Sequence, residues 1–484
     1  VKSAHPVAVV RAAEAAAMAG LPDGALMDRA ATGLATVCLG LLGRGYGARV
    51  VLLVGSGDNG GDALYAGARL AARGVGVDAL LLNPDRVHAG GLAALRAAGG
   101  RVAADAAVLD RADLVVDGIV GIGGSGGLRP AAAEMVARAA AGPGLMVAVD
   151  LPSGVDADTG EVGGPAVRAD ATVTFGTYKP GLLIDPGAAL AGATTCIDIG
   201  LGPHLPPPTL RSLQAADVVA RLPVPGRSDD KYRRGVLGVV AGSAAYVGAA
   251  VLAVGGALAA GAGMVRFVGP AEVAGAVRAR WPEVVAADGL PSTVGRVQAW
   301  VVGPGGGTDD AAGAVLSDVL GSDVPVLLDA DALSLLAQRG QLRRRAPTLL
   351  TPHAGELARL LGGQRDAVEA QRLHSVRRAA AQYGATVLLK GSTTLVAGPA
   401  GDPAWVNGTG TGWLATAGSG DVLSGVCGAL LAAGLSADEA GALGAHLHGL
   451  AARLAAGAGA PISAGRIIDL LPAAWRSVAP DGDQ

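Results

Sequence analysis

Apolar positions along this chain recur in two alternating rhythms. Spacings of three and four residues predict amphipathic helices over Val7–Ala19 and Leu26–Leu42. A short unbroken apolar run, Val50–Val54, reads instead as a strand buried on both faces. Gly55–Gly61 interrupts it, and a helix is expected over Ala63–Arg73. Further strands are expected at Asp78–Leu82, Leu114–Asp117, Met146–Asp150, Ala171–Phe175 and Thr195–Asp198. Strands separated by helical stretches predict a parallel, doubly wound sheet. The rhythm then stops. Pro203, Pro206, Pro207 and Pro208 suit a stiff extended connector, which places a domain boundary after residue 208. The alternation resumes in 209–484, with strands expected at Gly235–Ala241, Val265–Val268, Ala299–Val302, Val326–Asp329, Thr348–Leu350, Val387–Lys390 and Thr394–Ala397. No short internal repeat is visible.

One segment imitates a membrane span. Gly235–Val265 carries no charge, but its eight glycines and the Gly242-Ser243 turn predict strand, turn and buried helix instead. The 484-residue length exceeds one typical core, which supports two domains. A net charge of −3 gives no reason to expect a nucleic acid or an anionic membrane as partner. Cys38, Cys196 and Cys427 are too far apart for a zinc spacing and form no disulfide framework, so a reducing cytoplasm is expected. No signal peptide is read at the start, and the apolar helices suggest a homo-oligomer.

Chemistry gathers at strand ends. Ala417-Gly-Ser-Gly-Asp421 lies between a Gly/Thr-rich loop, Asn407–Thr411, and an apolar run from Val422 expected to be a helix. Glycine amides and a helix start suit a phosphate, and Asp421 beside them suits a general base acting on a hydroxyl. The plainer alternative is a capping Asp after a glycine turn. In the first domain Gly55–Asp62 follows a strand and precedes a helix, without the Rossmann glycine spacing. Asp58, Asn59 and Asp62 could coordinate a hard cation or bind a ribose there. Asp117 runs into the glycine loop Gly121–Gly127, and Asp150 into Leu151-Pro-Ser153. Phe175-Gly-Thr-Tyr-Lys179 ends another strand.

With these residues assembled, the first domain resembles the epimerases of hydrated NAD(P)H. That resemblance implies a Rossmann-like three-layer αβα sandwich whose substrate is NADHX or NADPHX. It implies that Asp58, Asn59, Gly60, Gly61 and Asp62, together with Gly121, Ile122, Gly123, Gly124, Ser125, Gly126 and Gly127, hold the hydrated dinucleotide. It also implies potassium near Asn59, Asp117 and Ser153, with Asp150 as the candidate base at the substrate. Two departures stand out: Ala63 where glycine is usual, and Asp28 where the family usually shows Glu.

In the second domain Asp329-Ala-Asp-Ala-Leu333, Leu350-Thr-Pro-His353 with Glu356, Leu389-Lys-Gly391 and Gly418-Ser-Gly-Asp421 follow in order. This set resembles the ribokinase-like NAD(P)H-hydrate dehydratases. It implies that Ala249, Gly305, His353 and Asp421 face the hydrated dinucleotide. Lys390, Gly391, Ser392, Thr393, Thr394 and Gly420 would hold ADP, the phosphoryl donor, with magnesium neutralising its charge. Ala417 departs from the usual glycine. The expected function is then repair of hydrated NADH and NADPH, by epimerisation of R and S forms and ADP-dependent dehydration of S. The rival reading is a ribokinase-like vitamin kinase behind a non-catalytic binding scaffold. Return of reduced nicotinamide, against accumulation of a phosphorylated vitamin precursor, separates the two.

Overall fold

The computed structural model describes residues 1–124, 126–401 and 403–478. Its strands are β1 (Lys2–Ala4), β2 (Arg49–Val54), β3 (Gly76–Leu81), β4 (Arg101–Val102), β5 (Leu114–Gly118), β6 (Leu145–Val149), β7 (Ala171–Phe175), β8 (Ala193–Ile197) and β9 (Leu210–Ser212). They continue with β10 (Val236–Val240), β11 (Met264–Val268), β12 (Val285–Ala287), β13 (Ala299–Val302), β14 (Val326–Leu328), β15 (Thr348–Leu350), β16 (Thr386–Leu389), β17 (Thr394–Ala397) and β18 (Ala404–Asn407). Two compact units emerge, Ser3–Thr209 and Leu210–Gln484, with Val1 and Lys2 grouped with the second.

In the first unit seven parallel strands run in the order β4-β3-β2-β5-β6-β7-β8. Alternate residues of β2 serve opposite faces. Val50, Leu52 and Val54 join one core with the helix Ala25–Leu42, while Val51 and Leu53 join another with the helix Pro130–Ala141. The unit is therefore three layers, helices on both sides of a sheet. The chain leaves β2 for β3 on one side and returns to β5 on the other. Val54 pairs with Gly118 across that reversal, so two glycine loops meet where open α/β sheets bind ligands.

The second unit repeats this logic. Strands β10 to β16 are parallel, β17 is antiparallel to both its neighbours, and β18 pairs in parallel with β9. The reversal lies between β10 and β13, where the Gly242 amide donates to the Pro304 carbonyl at 2.8 Å. The helix Val247–Ala259 packs directly on the helix Ser419–Ala432. A Cβ on Gly425 would lie 1.9 Å from the Ala253 carbonyl, and one on Gly256 would lie 2.3 Å from that of Val422. The two backbones thus touch through glycine, which fixes the position of the loop before Ser419.

Two expectations shift. The helix placed at Ala63 starts at Asp58, and the one placed at Val422 starts at Ser419. In both, glycines read as loop lie in the first turns. At Gly60 a Cβ would come 2.4 Å from the Gly55 carbonyl, so packing rather than looping explains that glycine. Segment 235–265 forms β10, the helix Val247–Ala259 and the start of β11. Among the described residues one helix, Ala25–Leu42, is long and apolar enough to cross a membrane by composition. Its Leu26, Ala30, Ala31, Leu34, Ala35 and Cys38 are packed in the core.

Candidate active sites

In the first unit a cavity of about 1280 Å³ opens at the reversal point. Asp58, Asn59 and Asp62 line it from the helix Asp58–Ala71, and Gly121, Ile122 and Gly123 from the loop after β5. Gly60 and Gly61 sit behind, Gly61 against the His88 ring. Gly124, Gly126 and Gly127 do not line the cavity, and Ser125 falls outside the described residues. The amides of Asp58, Asn59 and Gly60 precede the first bond of the helix, Gly61 N–H to Gly57 carbonyl at 3.1 Å. Free amides at a helix start suit a phosphate.

Asp150 follows β6 with φ 65°, a left-handed conformation that is uncommon for a residue with a Cβ. That turn brings its carboxylate onto Lys179. The Lys179 ammonium donates to Asp150 Oδ1, to Thr174 Oγ1 at 2.9 Å and to the Phe175 carbonyl at 3.1 Å. Lys179 is 1% exposed and Asp150 7%, yet both line the cavity. Arg11 and Glu14 reach the same space from the helix Val7–Met18. Burial, with Asp150 and Asp58 nearby, pushes the Glu14 carboxyl up despite Lys179.

Asp117 and Ser153 are buried and do not line the cavity. Ser153 N–H and Oγ donate to the two Asp117 oxygens at 2.8 and 2.7 Å, and Ile119 N–H adds a third bond at 3.2 Å. Val120 N–H donates to Ser153 Oγ at 2.9 Å. Burial pushes Asp117 up to about 6 against these hydrogen bonds. Ser153→Ala strands the Val120 amide and weakens the Asp117 anchorage. The expected cost is about 1–3 kcal/mol, read by urea unfolding followed in the first unit.

In the second unit the groups converge around Lys390. Its ammonium donates to Asp329 Oδ1 at 2.8 Å and lies 3.8 Å from Glu356 Oε2. A Cβ on Gly420 would lie 3.4 Å from the same nitrogen. Burial opposes the charge on Lys390, but Asp329, Glu356 and Asp421 outweigh it and raise its pKa. Ser424 Oγ donates to the second Asp329 oxygen at 2.7 Å. Ala330, at φ 48°, turns the backbone so that Asp331 points elsewhere and accepts from Gly307 N–H at 2.9 Å.

Asp421 stands in the first turn of its helix. The amides of Gly420 and Asp421 make no hydrogen bond among the described residues, and Gly418 at φ 85° turns the chain into the helix. Burial pushes the Asp421 carboxyl up to about 7, with Asp329 and Asp331 raising it and Lys390 opposing. His448 is neutral, its pKa driven down to about 4 by burial, and its Nε2 donates to the Ser419 carbonyl at 3.0 Å. His448 therefore pins the turn that carries Asp421.

His353 caps the helix Ala354–Leu361. Its Nδ1 accepts from Gly355 and Glu356 amides at 3.0 and 3.3 Å, which leaves the N–H on Nε2, 3.6 Å from Glu356 Oε1. Ala249 and Gly305 adjoin, since a Cβ on Gly305 would lie 2.9 Å from the Ala249 methyl. A 490 Å³ cavity at the ends of β10, β11 and β13 is lined by Gly303, Gly306 and Gly307, but not by Ala249, Gly305, His353 or Asp421. Arg372 supports the stretch from Lys390 to Thr394. It donates to the carbonyls of Lys390 at 3.2 Å and Thr393 at 2.9 Å, while Gly391 leaves room for its guanidinium. Ser392 is exposed, Thr393 is buried, and Thr394 begins β17.

Residues 237–472 match the NAD(P)H-hydrate dehydratase family model, and residues 23–181 match that of the YjeF-related protein N-terminus. A bifunctional NAD(P)H-hydrate repair enzyme of Mycobacterium leprae is 52% identical over 474 residues, covering 96% of this chain and 97% of that protein. The chain belongs to the bifunctional NAD(P)H-hydrate repair enzymes. The family member of Mycobacterium tuberculosis is also 52% identical, over 90% of this chain and 91% of its own length. A solved ADP/ATP-dependent NAD(P)H-hydrate dehydratase of Bacillus subtilis, co-crystallised with ATP and Mg²⁺, is 30% identical with a TM-score of 0.51. The match covers 55% of this chain and 97% of that one. A ribokinase-like superfamily protein of Enterococcus faecalis reaches 25% identity at TM-score 0.51, covering 56% and 97%. The second unit of this repair enzyme is ribokinase-like.

Several residues of these sites carry no role in the sequence reading. Lys179 is visible there only as a strand-end lysine. Arg11 and Glu14 had a signal: they are the two charges of an otherwise apolar, alanine-rich helix. Arg372 and His448 gave none, because they act on backbone carbonyls that only the fold brings near.

Proposed function

We propose that this chain restores hydrated NADH and NADPH, its first unit interconverting the R and S hydrates and its second dehydrating the S form with ADP. The observation that carries the second activity is Asp421, a carboxyl pushed up to about 7 beside free helix-start amides and Lys390. A base with that proton affinity is matched to work near neutrality. Asp421 takes the proton of the ring hydroxyl, whose oxygen attacks the terminal phosphorus of ADP as the bond to AMP breaks. The amides of Gly420 and Asp421 and the helix start stabilise the charge on the transferring group. The phosphorylated hydrate then loses phosphate and a ring proton, and the reduced nicotinamide returns.

Lys390, with Gly391, Ser392, Thr393, Thr394 and Gly420, would hold the nucleotide, and Ala249, Gly305 and His353 the hydrate. No set of three or more His, Cys, Asp or Glu side chains is arranged for a metal among the described residues. Asp329 is already taken by Lys390 and Ser424. Magnesium therefore fits best as an ion brought in by the phosphates, neutralising their charge. A vitamin-kinase reading leaves the first unit's cavity without a task. The test is incubation with S-hydrate and ADP: AMP, phosphate and reduced cofactor should form together. A stable phosphorylated hydrate as end product would contradict the dehydratase assignment.

The sign of the pH dependence follows. The base must be ionised, so kcat/KM for dehydration should rise through about pH 7 as Asp421 loses its proton. A profile that falls over that range would remove Asp421 from the base role.

For the first unit, Asp58, Asn59, Asp62 and the Gly121–Gly123 stretch would hold the dinucleotide, with Asp150 as base. Potassium would suit Asn59, Asp117 and Ser153. Asp117 is a buried carboxyl whose hydrogen-bond partners among the described residues include no cation, and the Asn59 Oδ1 lies against Gly121. Asn59, Asp117 and Ser153 would supply the oxygens that such an ion takes, and the ion would order the loop after β5. Cys38 and Cys427 are thiols buried in the two cores, which suits a cytoplasmic protein.

A further inference from the structure

We infer that Asp62 is the proton donor of the epimerisation, expelling the ring hydroxyl of the hydrate as water. The inference rests on the reading of the first unit's cavity as the epimerisation site. Three features of Asp62 support it. It is the fifth residue of the helix Asp58–Ala71, so its own amide is inside the helical ladder and the free amides serve Asp58, Asn59 and Gly60. Its Oδ1 is buried and has no hydrogen-bond partner among the described residues, a costly place for a charged carboxylate. It also lines the cavity with Asp150, Asp58, Glu14, Asp23 and Asp28, against the positive charges of Lys179, Arg11 and Arg29.

Burial, then the charges of Asp150, Asp58 and Glu14, hold the Asp62 proton on well above the ordinary carboxyl range, with Lys179 opposing. The remaining carboxylates make the cavity a good host for a cation and a poor one for an alkoxide. That electrostatic bias favours loss of hydroxyl over opening of the ring to an anionic intermediate. In the step, the carbon–oxygen bond of the hydrate breaks and its electron pair leaves with oxygen. The Asp62 proton joins that oxygen to make water. The ring nitrogen's lone pair closes a carbon–nitrogen double bond, and the resulting iminium sits among Asp58, Glu14 and Asp150. Water adds to the opposite face of that bond and passes one proton to Asp150. Exchange with solvent returns a proton to Asp62 and takes one from Asp150. No oxidant or reductant is required.

The experiment uses the full chain without ADP, so that the second unit is silent, and follows the R hydrate of NADH as it becomes S by chromatographic separation. Asp62→Asn should lower kcat at least ~10²-fold with KM changed only a few-fold, and Asp62→Glu should recover part of the loss. In ¹⁸O-enriched water each wild-type inversion should place one solvent oxygen in the product. A variant Asp62→Asn turning over within a few-fold of wild type would overturn the inference, as would inversion without solvent oxygen. A wild-type chain that fails to interconvert the epimers overturns the site reading itself. An unchanged thermal transition of Asp62→Asn shows that the loss is chemical.

Discussion

Asp421→Asn lowers turnover of the S hydrate at least ~10²-fold while nucleotide still binds. The substitution keeps the side chain's shape and the helix start intact. What it removes is the one carboxyl near Lys390 that burial pushes up to about 7. Asp329 cannot take over, because Lys390 and Ser424 occupy its two oxygens at 2.8 and 2.7 Å. Asp331 is held by the Gly307 amide. The free amides of Gly420 and Asp421 persist, so ADP affinity measured by calorimetry should change little. Epimerisation in the first unit should be untouched. Turnover within a few-fold of wild type would show that another group removes the hydroxyl proton.

Asp150→Asn should be the most damaging change in the first unit, for activity and for stability. It removes the proposed base, and it also removes the negative charge opposite the Lys179 ammonium, 1% exposed, whose other acceptors, Thr174 Oγ1 and the Phe175 carbonyl, are neutral. Breaking a buried pair from one side costs about 3–5 kcal/mol, because the surviving charge remains desolvated. Interconversion of the hydrates should fall at least ~10²-fold, with dehydration of the S form preserved. The double variant Asp150→Leu with Lys179→Met separates the two effects. Replacing both members of such a pair by apolar side chains is often neutral in stability. It should recover the unfolding midpoint while epimerisation stays lost. Recovery of activity along with stability would reduce the pair to a structural role.

The layout of both units is legible in the apolar pattern because buried parallel strands are short unbroken runs between helical stretches. Strands β1, β4, β9, β12 and β18 escape that reading. They hold two to four residues each, too few to show an alternation, and β4 is exposed at both its positions. The helix starts at Asp58 and Ser419 fall earlier than expected because glycine usually signals a turn, whereas Gly60 lies in one helix against the Gly55 carbonyl and Gly420 in the other near the Lys390 ammonium. Of the candidate sites, the residues near each strand end could be named from sequence, since loops at those ends converge on one crevice. Their pairing could not. Nothing in the order of residues says that Asp150 meets Lys179 across 29 positions or that Lys390 meets Asp329 across 61. Those partners decide which carboxyl is free to take a proton. Asp421 retains that freedom, while Asp329 does not.

The most direct measurement offers the full chain only the R hydrate of NADH, together with ADP, and records the return of reduced nicotinamide. Two activities on one chain predict complete recovery, faster than uncatalysed epimerisation, with one AMP and one phosphate formed for each molecule restored. Recovery limited to the pace of uncatalysed epimerisation, or a phosphorylated hydrate left at the end, would contradict that claim.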